Sequence, residues 1–365
     1  MGGGGARGLR PGRGGRSAPR LPASQNPAAP LSRPAAAHRS THRHRHPMSW
    51  NVRIGINPLS WSNDDLPSLG GETPLETALR EGAEIGYAGF ELGYKFPADG
   101  PALKARLAEF GLVCVSGWYS GALAEPAPGQ SDAQAVAAEL ERCQPHMRKL
   151  QHNDVTVVVY GECAGTIQGR IDMPLAKRPR FAGATAWQRY AERLNAFGAQ
   201  LLARYGIRLA YHHHMGAYVQ APADIDQLMA LTDPASVFLL FDTGHAWFGG
   251  AADPVALLRK HAARVVHVHC KDVRPQIIDQ ARNGGWSFLD SVINGAFTVP
   301  GDGAIDNRAI LRVLKDVGYQ GWLVVEAEQD PAVAPSYAYA RKGHDTLRAL
   351  VDQSSVCHGP GQRER

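Results

Sequence analysis

The first 47 residues contain no lysine, aspartate or glutamate and almost no large apolar side chain. They are Gly, Ala, Pro, Arg, Ser and His for the most part, with nine arginines at 7, 10, 13, 16, 20, 33, 39, 43 and 45. Such a composition buries too little apolar surface to offset its ordering entropy, which excludes a packed domain there. A disordered extension over residues 1–47 is expected. Removing its nine positive charges from the formal net charge of +5 leaves −4 on residues 48–365. The basic balance therefore belongs to the extension, and the folded part is mildly acidic. Met48 stands just before the patterning of Trp50, Val52 and Ile54, and translation is expected to start there. A basic nucleic-acid arm and an Arg-rich transit peptide are the other readings. The Gly- and Pro-rich blocks, without an apolar face, oppose a transit peptide. The tract His42-Arg43-His44-Arg45-His46 would bind metal only weakly.

Other absences narrow the class further. No apolar run reaches the ~18–20 residues of a membrane span, and no signal-peptide core is present. The five cysteines (114, 143, 163, 270, 357) form no Cys-x-x-Cys pair. They read as reduced thiols of a cytoplasmic protein, not as a disulfide framework or a zinc knot. No Gly-x-Gly-x-x-Gly follows the first strand, which opposes a dinucleotide-binding open sheet.

What is present is strict alternation. Strands are expected over 52–57, 89–93, 113–118, 155–160, 208–213, 237–242, 265–271 and 321–326. Helices are expected over 74–85, 101–110, 133–149, 184–205, 223–232, 254–262, 308–317 and 337–351. Eight such pairs predict an α/β fold, a single (β/α)8 TIM barrel over 48–352, with a flexible tail at 353–365. Pro74, Pro101 and Pro254 suit first helical turns capped by Thr73, Gly100 and Asp253. Gly86, Gly111, Gly206 and Gly318 suit left-handed helix ends. Two insertions, 161–183 and 272–304, follow strands four and seven and are expected to cover substrate.

The chemistry gathers where strands end. Asp242 closes Val237-Phe238-Leu239-Leu240-Phe241, and an acid after five apolar residues needs a cation or a capping role. His245 follows three residues on. His267 and His269 share one strand face by alternation, with His269 nearer the mouth and Lys271-Asp272 beyond. Glu326 and Glu328 alternate in the same way, and such close acids repel unless a cation separates them. His212 and His214 share a face, with His213 opposed. All such ends open onto one side of a barrel, so these groups can converge on one divalent metal. Asn57, Trp61, Asn63-Asp64-Asp65, Glu91, Trp118, Tyr119 and Glu162 form a polar and aromatic rim suited to a polyhydroxylated ring. Each taken singly is as well explained by packing.

Asp-x-Gly-His after one strand, His-x-Lys-Asp after the next and Glu after the last resemble the xylose-isomerase-like barrel superfamily. The finer motifs Gly55-Ile56-Asn57-Pro58-Leu59-Ser60-Trp61-Ser62-Asn63-Asp64-Asp65, Gly89-Phe90-Glu91-Leu92-Gly93, Val115-Ser116-Gly117-Trp118-Tyr119-Ser120 and His267-Val268-His269-Cys270-Lys271-Asp272-Val273-Arg274 are similar to the inosose dehydratases within it. The resemblance runs from about Met48 to about Val351 and implies a metal set of His212, Asp242, His269 and Glu326. His212 stands where the sugar epimerases of the superfamily carry a second glutamate, which disfavours their paired-base chemistry. The implied reaction is loss of water from 2-keto-myo-inositol (scyllo-inosose) to a trihydroxycyclohexane-1,2-dione, with Mn2+ or Co2+ acidifying the C–H beside the ketone. Glu326 is the first choice of base, and Glu91, His214, His245 and Lys271 are candidates for acid or orienting group. Asn57, Trp61, Trp118, Tyr119, Glu162 and Glu328 are the candidate substrate contacts. The partner is then a small cyclic polyol ketone; neither nucleic acid nor membrane is expected, and the folded part's negative balance opposes an abasic-site endonuclease. A ketose epimerase or isomerase on the same metal is the alternative. Homo-oligomerisation is compatible with a barrel rim, but no patch can be assigned to it.

Overall fold

The alternation folds as a closed ring. The computed structural model describes residues 50–356, and the expectations for residues 1–47 lie outside them. Its elements are β1 (Val52–Ile56), α1 (Leu75–Ile85), β2 (Gly89–Leu92), α2 (Gly100–Ala108), β3 (Val113–Gly121), α3 (Asp132–His152), β4 (Val157–Glu162), α4 (Gly183–Tyr205), β5 (Arg208–His212), α5 (Pro222–Leu231), β6 (Val237–Asp242), α6 (Thr243–Phe248), α7 (Pro254–His261), β7 (Val265–Cys270), β8 (Asp272–Val273), α8 (Pro275–Gly284), α9 (Phe288–Ile293), β9 (Phe297–Thr298), α10 (Asn307–Asp316), β10 (Gly321–Val325) and α11 (Ser336–Val356). Eight parallel strands close in the order β1-β10-β7-β6-β5-β4-β3-β2, while β8 and β9 pair as a separate antiparallel ribbon. Among the described residues, no helix is long and apolar enough to cross a membrane.

Period-two alternation sorts each strand's side chains. Val157, Val159, Ala210 and Leu240 pack together inside the barrel. Phe90, Tyr160, Leu209, Tyr211, Phe241, Val268 and Leu323 belong to the larger core that the helices cover. The interior positions nearest the C-terminal strand ends are the polar ones: Glu91, His212, Asp242, His269 and Glu326.

Several local expectations need correction. Asp99, rather than Gly100, caps α2, its carboxylate accepting from the Ala102 amide at 2.9 Å. Pro74 itself stands at the N-cap of α1, where it offers no side-chain acceptor. Asp253 caps α7 as expected, accepting from Val255 and Ala256. Of the tail expected over 353–365, residues 353–356 continue α11, and the rest lies outside the described residues. The 272–304 insertion has regular structure of its own. It folds into α8, α9 and the ribbon, with Ser287 and Asp290 forming a capping box at α9.

Candidate metal centre

Four strands deliver four ligand-type side chains to one point at the mouth. His212 ends β5, Asp242 ends β6, His269 lies on β7 and Glu326 follows β10. Asp242 and His269 are register neighbours, so their side chains project side by side. One ligand atom from each of the four lies within 4.8 Å of all the others, and all four residues are buried. His212 Nε2 stands 3.7 Å from Asp242 Oδ2, and His269 Nδ1 stands 3.5 Å from that same oxygen. Glu326 Oε2 crowds His269 Nδ1.

The donor set fits a divalent cation. Asp242 Oδ2, His269 Nδ1 and Glu326 Oε2 are buried atoms with no hydrogen-bond partner. His212 is oriented by its Nδ1, 2.7 Å from the His213 carbonyl oxygen, so Nδ1 carries the proton and Nε2 turns a lone pair toward Asp242. Burial and the neighbouring His269 and His214 hold His212 well below the ordinary histidine range. Lone pairs aimed at one another in a buried site repel unless a cation lies between them. Burial works against charge on His269, but Glu326 and Glu91 push its imidazole well above the ordinary range. Metal binding at these groups would compete with protons for the same nitrogen and oxygen atoms.

Glu91 supports this cluster from the opposite side of the ring. It accepts from His267 Nε2 at 2.7 Å and from Asn57 Nδ2 at 2.9 Å, and it lies 3.1 Å from His269 Nε2. Burial alone would raise this carboxyl, but His269 and His267 hold it well below the usual range. Glu91 thus orients His269, one of the two roles expected of it.

Lys271 is buried between the acids. Its Nζ lies 3.1 Å from Glu326 Oε1, 2.5 Å from Glu328 Oε1 and 3.1 Å from His245 Nε2. Burial would lower its pKa, but Glu326, Glu328 and Asp242 raise it further, so the ammonium persists. His245 meets a donor at each ring nitrogen, the Met215 amide at Nδ1 (3.3 Å) and Lys271 at Nε2. A neutral imidazole accepts at one only, and the shorter, charge-assisted contact at Nε2 prevails. His214 contacts the Met215 carbonyl oxygen through Nδ1 at 2.9 Å, which turns its Nε2 lone pair free. Burial pushes His214 down to about 4. Gly244 permits this packing, because a Cβ there would meet Lys271 Cγ at 2.6 Å.

Above the cluster is a cavity of ≈ 160 Å³ bordered by Asn57, Asp65, Glu91, Trp118, Gln168, His214, His269, Glu326 and Glu328 among others. Gly161 lets the Trp118 indole lie across β4, since a Cβ there would meet the ring at 2.0 Å. A larger cleft of ≈ 590 Å³ lies beside Arg178, Trp247, Arg282 and Trp286. Its Arg178 is bound to Asp224 and its Arg282 to backbone carbonyls, and no cluster of ligand-type side chains borders it.

Three expected substrate contacts lie elsewhere. Trp61 is buried against Phe90, its Nε1 donating to Glu81 at 2.6 Å. Tyr119 faces the helix layer against Phe197 and Tyr160, because it follows Trp118 on an alternating strand. Glu162 points the same way and accepts from the Tyr160 and Tyr190 hydroxyls at 2.8 and 2.9 Å. Asn57, Trp118 and Glu328 do border the cavity. Cys163 and Gln168, also on its wall, were not singled out; their only signal was their place in the insertion after β4. Phe288 and Phe297, from the other insertion, pack against His245.

Comparison with known proteins agrees with this architecture. The family model of xylose isomerase-like TIM barrels matches residues 79–350. The rhizopine catabolism protein MocC of Rhizobium meliloti is 46% identical over 301 residues, 82% of this chain and 89% of that protein. An inosose dehydratase of Klebsiella pneumoniae (strain 342) is 44% identical over 302 residues, 82% of this chain and 97% of that one. A crystal structure of the IOLI protein with a zinc atom bound superposes with a TM-score of 0.56 at 14% identity, covering 82% of this chain and 98% of that one.

Proposed function

Because the chain belongs to the xylose isomerase-like TIM-barrel family, we propose that it is a metal-dependent hydro-lyase that removes water from an inosose, 2-keto-myo-inositol (scyllo-inosose), to give a trihydroxycyclohexane-1,2-dione. The observation that carries the reading is the convergence of four buried ligand-type side chains, His212, Asp242, His269 and Glu326, on one point. The similarity to inosose dehydratases over most of the chain supports the substrate class. His212 Nε2, Asp242 Oδ2, His269 Nδ1 and Glu326 Oε2 would hold a divalent cation, Mn2+ or Co2+ by family resemblance. When bound, it supplies a Lewis acid that lowers the pKa of the C–H beside the ketone.

The chain's own groups divide the remaining work. Glu326, first choice of base from the sequence, has Oε1 turned to Lys271 and Oε2 turned into the cluster. His214 borders the cavity with a free Nε2 lone pair and is the better-placed group to take the α-proton. Glu328, at the cavity edge and bonded to the Lys271 ammonium behind it, is placed to assist departure of the β-hydroxyl as water. Trp118 offers its face to the ring's C–H bonds, and Asn57 and Asp65 border the space its hydroxyls would occupy.

The test is turnover of scyllo-inosose by metal-stripped protein, followed as dione absorbance with and without Mn2+. Metal-dependent turnover is expected, with a loss of at least about 10³-fold in Asp242→Asn and Glu326→Gln. A chain that binds metal tightly but leaves scyllo-inosose untouched would overturn the dehydratase reading in favour of ketose epimerisation.

A further inference from the structure

A second cluster of ligand-type side chains adjoins the first. His214, His245 and Glu328 bring two ring nitrogens and a carboxylate oxygen within 4.8 Å of one another, and all three are buried. Two imidazoles and a carboxylate are a donor set that suits a divalent transition metal. Here that space is filled from within. Lys271 Nζ contacts His245 Nε2, Glu328 Oε1 and Glu326 Oε1 at 3.1, 2.5 and 3.1 Å. An ammonium has three N–H donors, and these are three acceptors. Its remaining side faces the Phe297 ring, 4.7 Å from the centroid.

Glu326 links the two places. Its Oε2 belongs to the four-residue cluster and its Oε1 to Lys271. That is the posture of a carboxylate bridging a pair of metal ions, with an ammonium standing at one end. Nζ also lies 3.8 Å from Asp242 Oδ2, an oxygen that faces the four-residue cluster, so the two places are neighbours.

We propose that the Lys271 ammonium is a built-in second cation: it occupies a latent metal site formed by His214, His245, Glu328 and Glu326 Oε1, and thereby keeps the centre at one divalent ion per chain. The inference rests on reading His212, Asp242, His269 and Glu326 as the first cation site. A tethered ammonium keeps its positive charge behind Glu326 and Glu328, which border the cavity, whatever the metal supply. It also carries protons, which a metal ion in the same place does not.

The experiment is metal stoichiometry of the full chain, stripped, reloaded with Mn2+ or Zn2+, desalted and measured by elemental analysis. One ion per chain is expected for the native protein and two for Lys271→Ala. Lys271→Leu, which refills the volume with apolar atoms, and the double variant Lys271→Ala/Glu328→Gln are expected to return to one. Propylammonium added to Lys271→Ala should displace one ion and leave the other. A folded Lys271→Ala chain that still holds one ion at saturating metal overturns the proposal, as does a native chain that holds two. A native chain holding none removes the first site instead. If Lys271→Ala is unfolded when stripped, Mn2+ should restore its near-ultraviolet circular dichroism, and failure to do so also overturns the proposal.

Discussion

Glu162 shows how one side chain can be visible in a sequence and still be misread. It ends a strand, as the metal-cluster acids do, but it lies on the outward parity of β4, among the hydroxyls of Tyr160, Tyr190 and Tyr211. Burial pushes it up to about 7, against the pull of the Tyr160 and Tyr190 hydroxyls. Between pH 4.5 and 7 the folded chain therefore holds a proton that the unfolded chain has released. Stability should fall as pH rises through that window and level off above it, by on the order of 3 kcal/mol from this group. Thermal midpoints of native protein and Glu162→Gln at pH 5, 6.5 and 8 check this. The variant carries a buried amide at every pH, so its absolute stability shifts, but its slope across the window should flatten. An unchanged slope would remove Glu162 as its source. Asp242, His269 and Glu326 were legible for the opposite reason: each occupies an inward position after an apolar run, where alternation alone dictates the direction.

At the scale of elements, β3 separates recognition from packing within two residues. Trp118 borders the cavity, whereas Tyr119 is buried against Phe197. Trp118→Ala should raise KM for the inosose by about tenfold or more, with a thermal midpoint less affected. Tyr119→Ala should cost about 3–5 kcal/mol of stability and leave KM near its native value in the folded fraction. Equal KM shifts in both would contradict the assignment of faces. The short helix α6 escaped the sequence reading because six residues give no periodicity to detect. It begins at Asp242, whose Oδ1 accepts from the His245 amide at 2.7 Å while Oδ2 faces the cluster. Cap and ligand are rival readings of the sequence, yet one carboxylate has an oxygen for each. Asp242→Asn keeps the capping oxygen, so its loss of metal should come with little loss of helix, whereas Asp242→Ala should cost about 1 kcal/mol more. Chemical denaturation of the two variants without metal measures that difference. In the 272–304 insertion the signals were present but unused: Pro275 at a first helical turn and Ser287 three residues before Asp290.

For the whole molecule, the eight-strand count followed from alternation, and the ring closure followed from the count. What no periodicity could reveal was how firmly each pair of neighbours is joined. β1 and β10 pair along five registered positions, whereas β1 and β2 are held by the Ile56–Phe90 pair and by the Ala88 amide donating to the Ile54 carbonyl oxygen at 3.0 Å. Across that seam, Asn57 donates to Glu91, and Glu91 reaches over the interior to His267 and His269 on β7. The group that orients His269 is thus also a clasp between β1 and β2. Glu91→Gln should weaken metal binding by about 10–100-fold, measurable by calorimetry. The same change should let β1 and β2 amides exchange with deuterium sooner than those of β5 and β6. Cutting the Glu91 clasp would then loosen the barrel at one address, so that the Glu91→Gln chain begins to unzip, and to be cut by proteases, from β2.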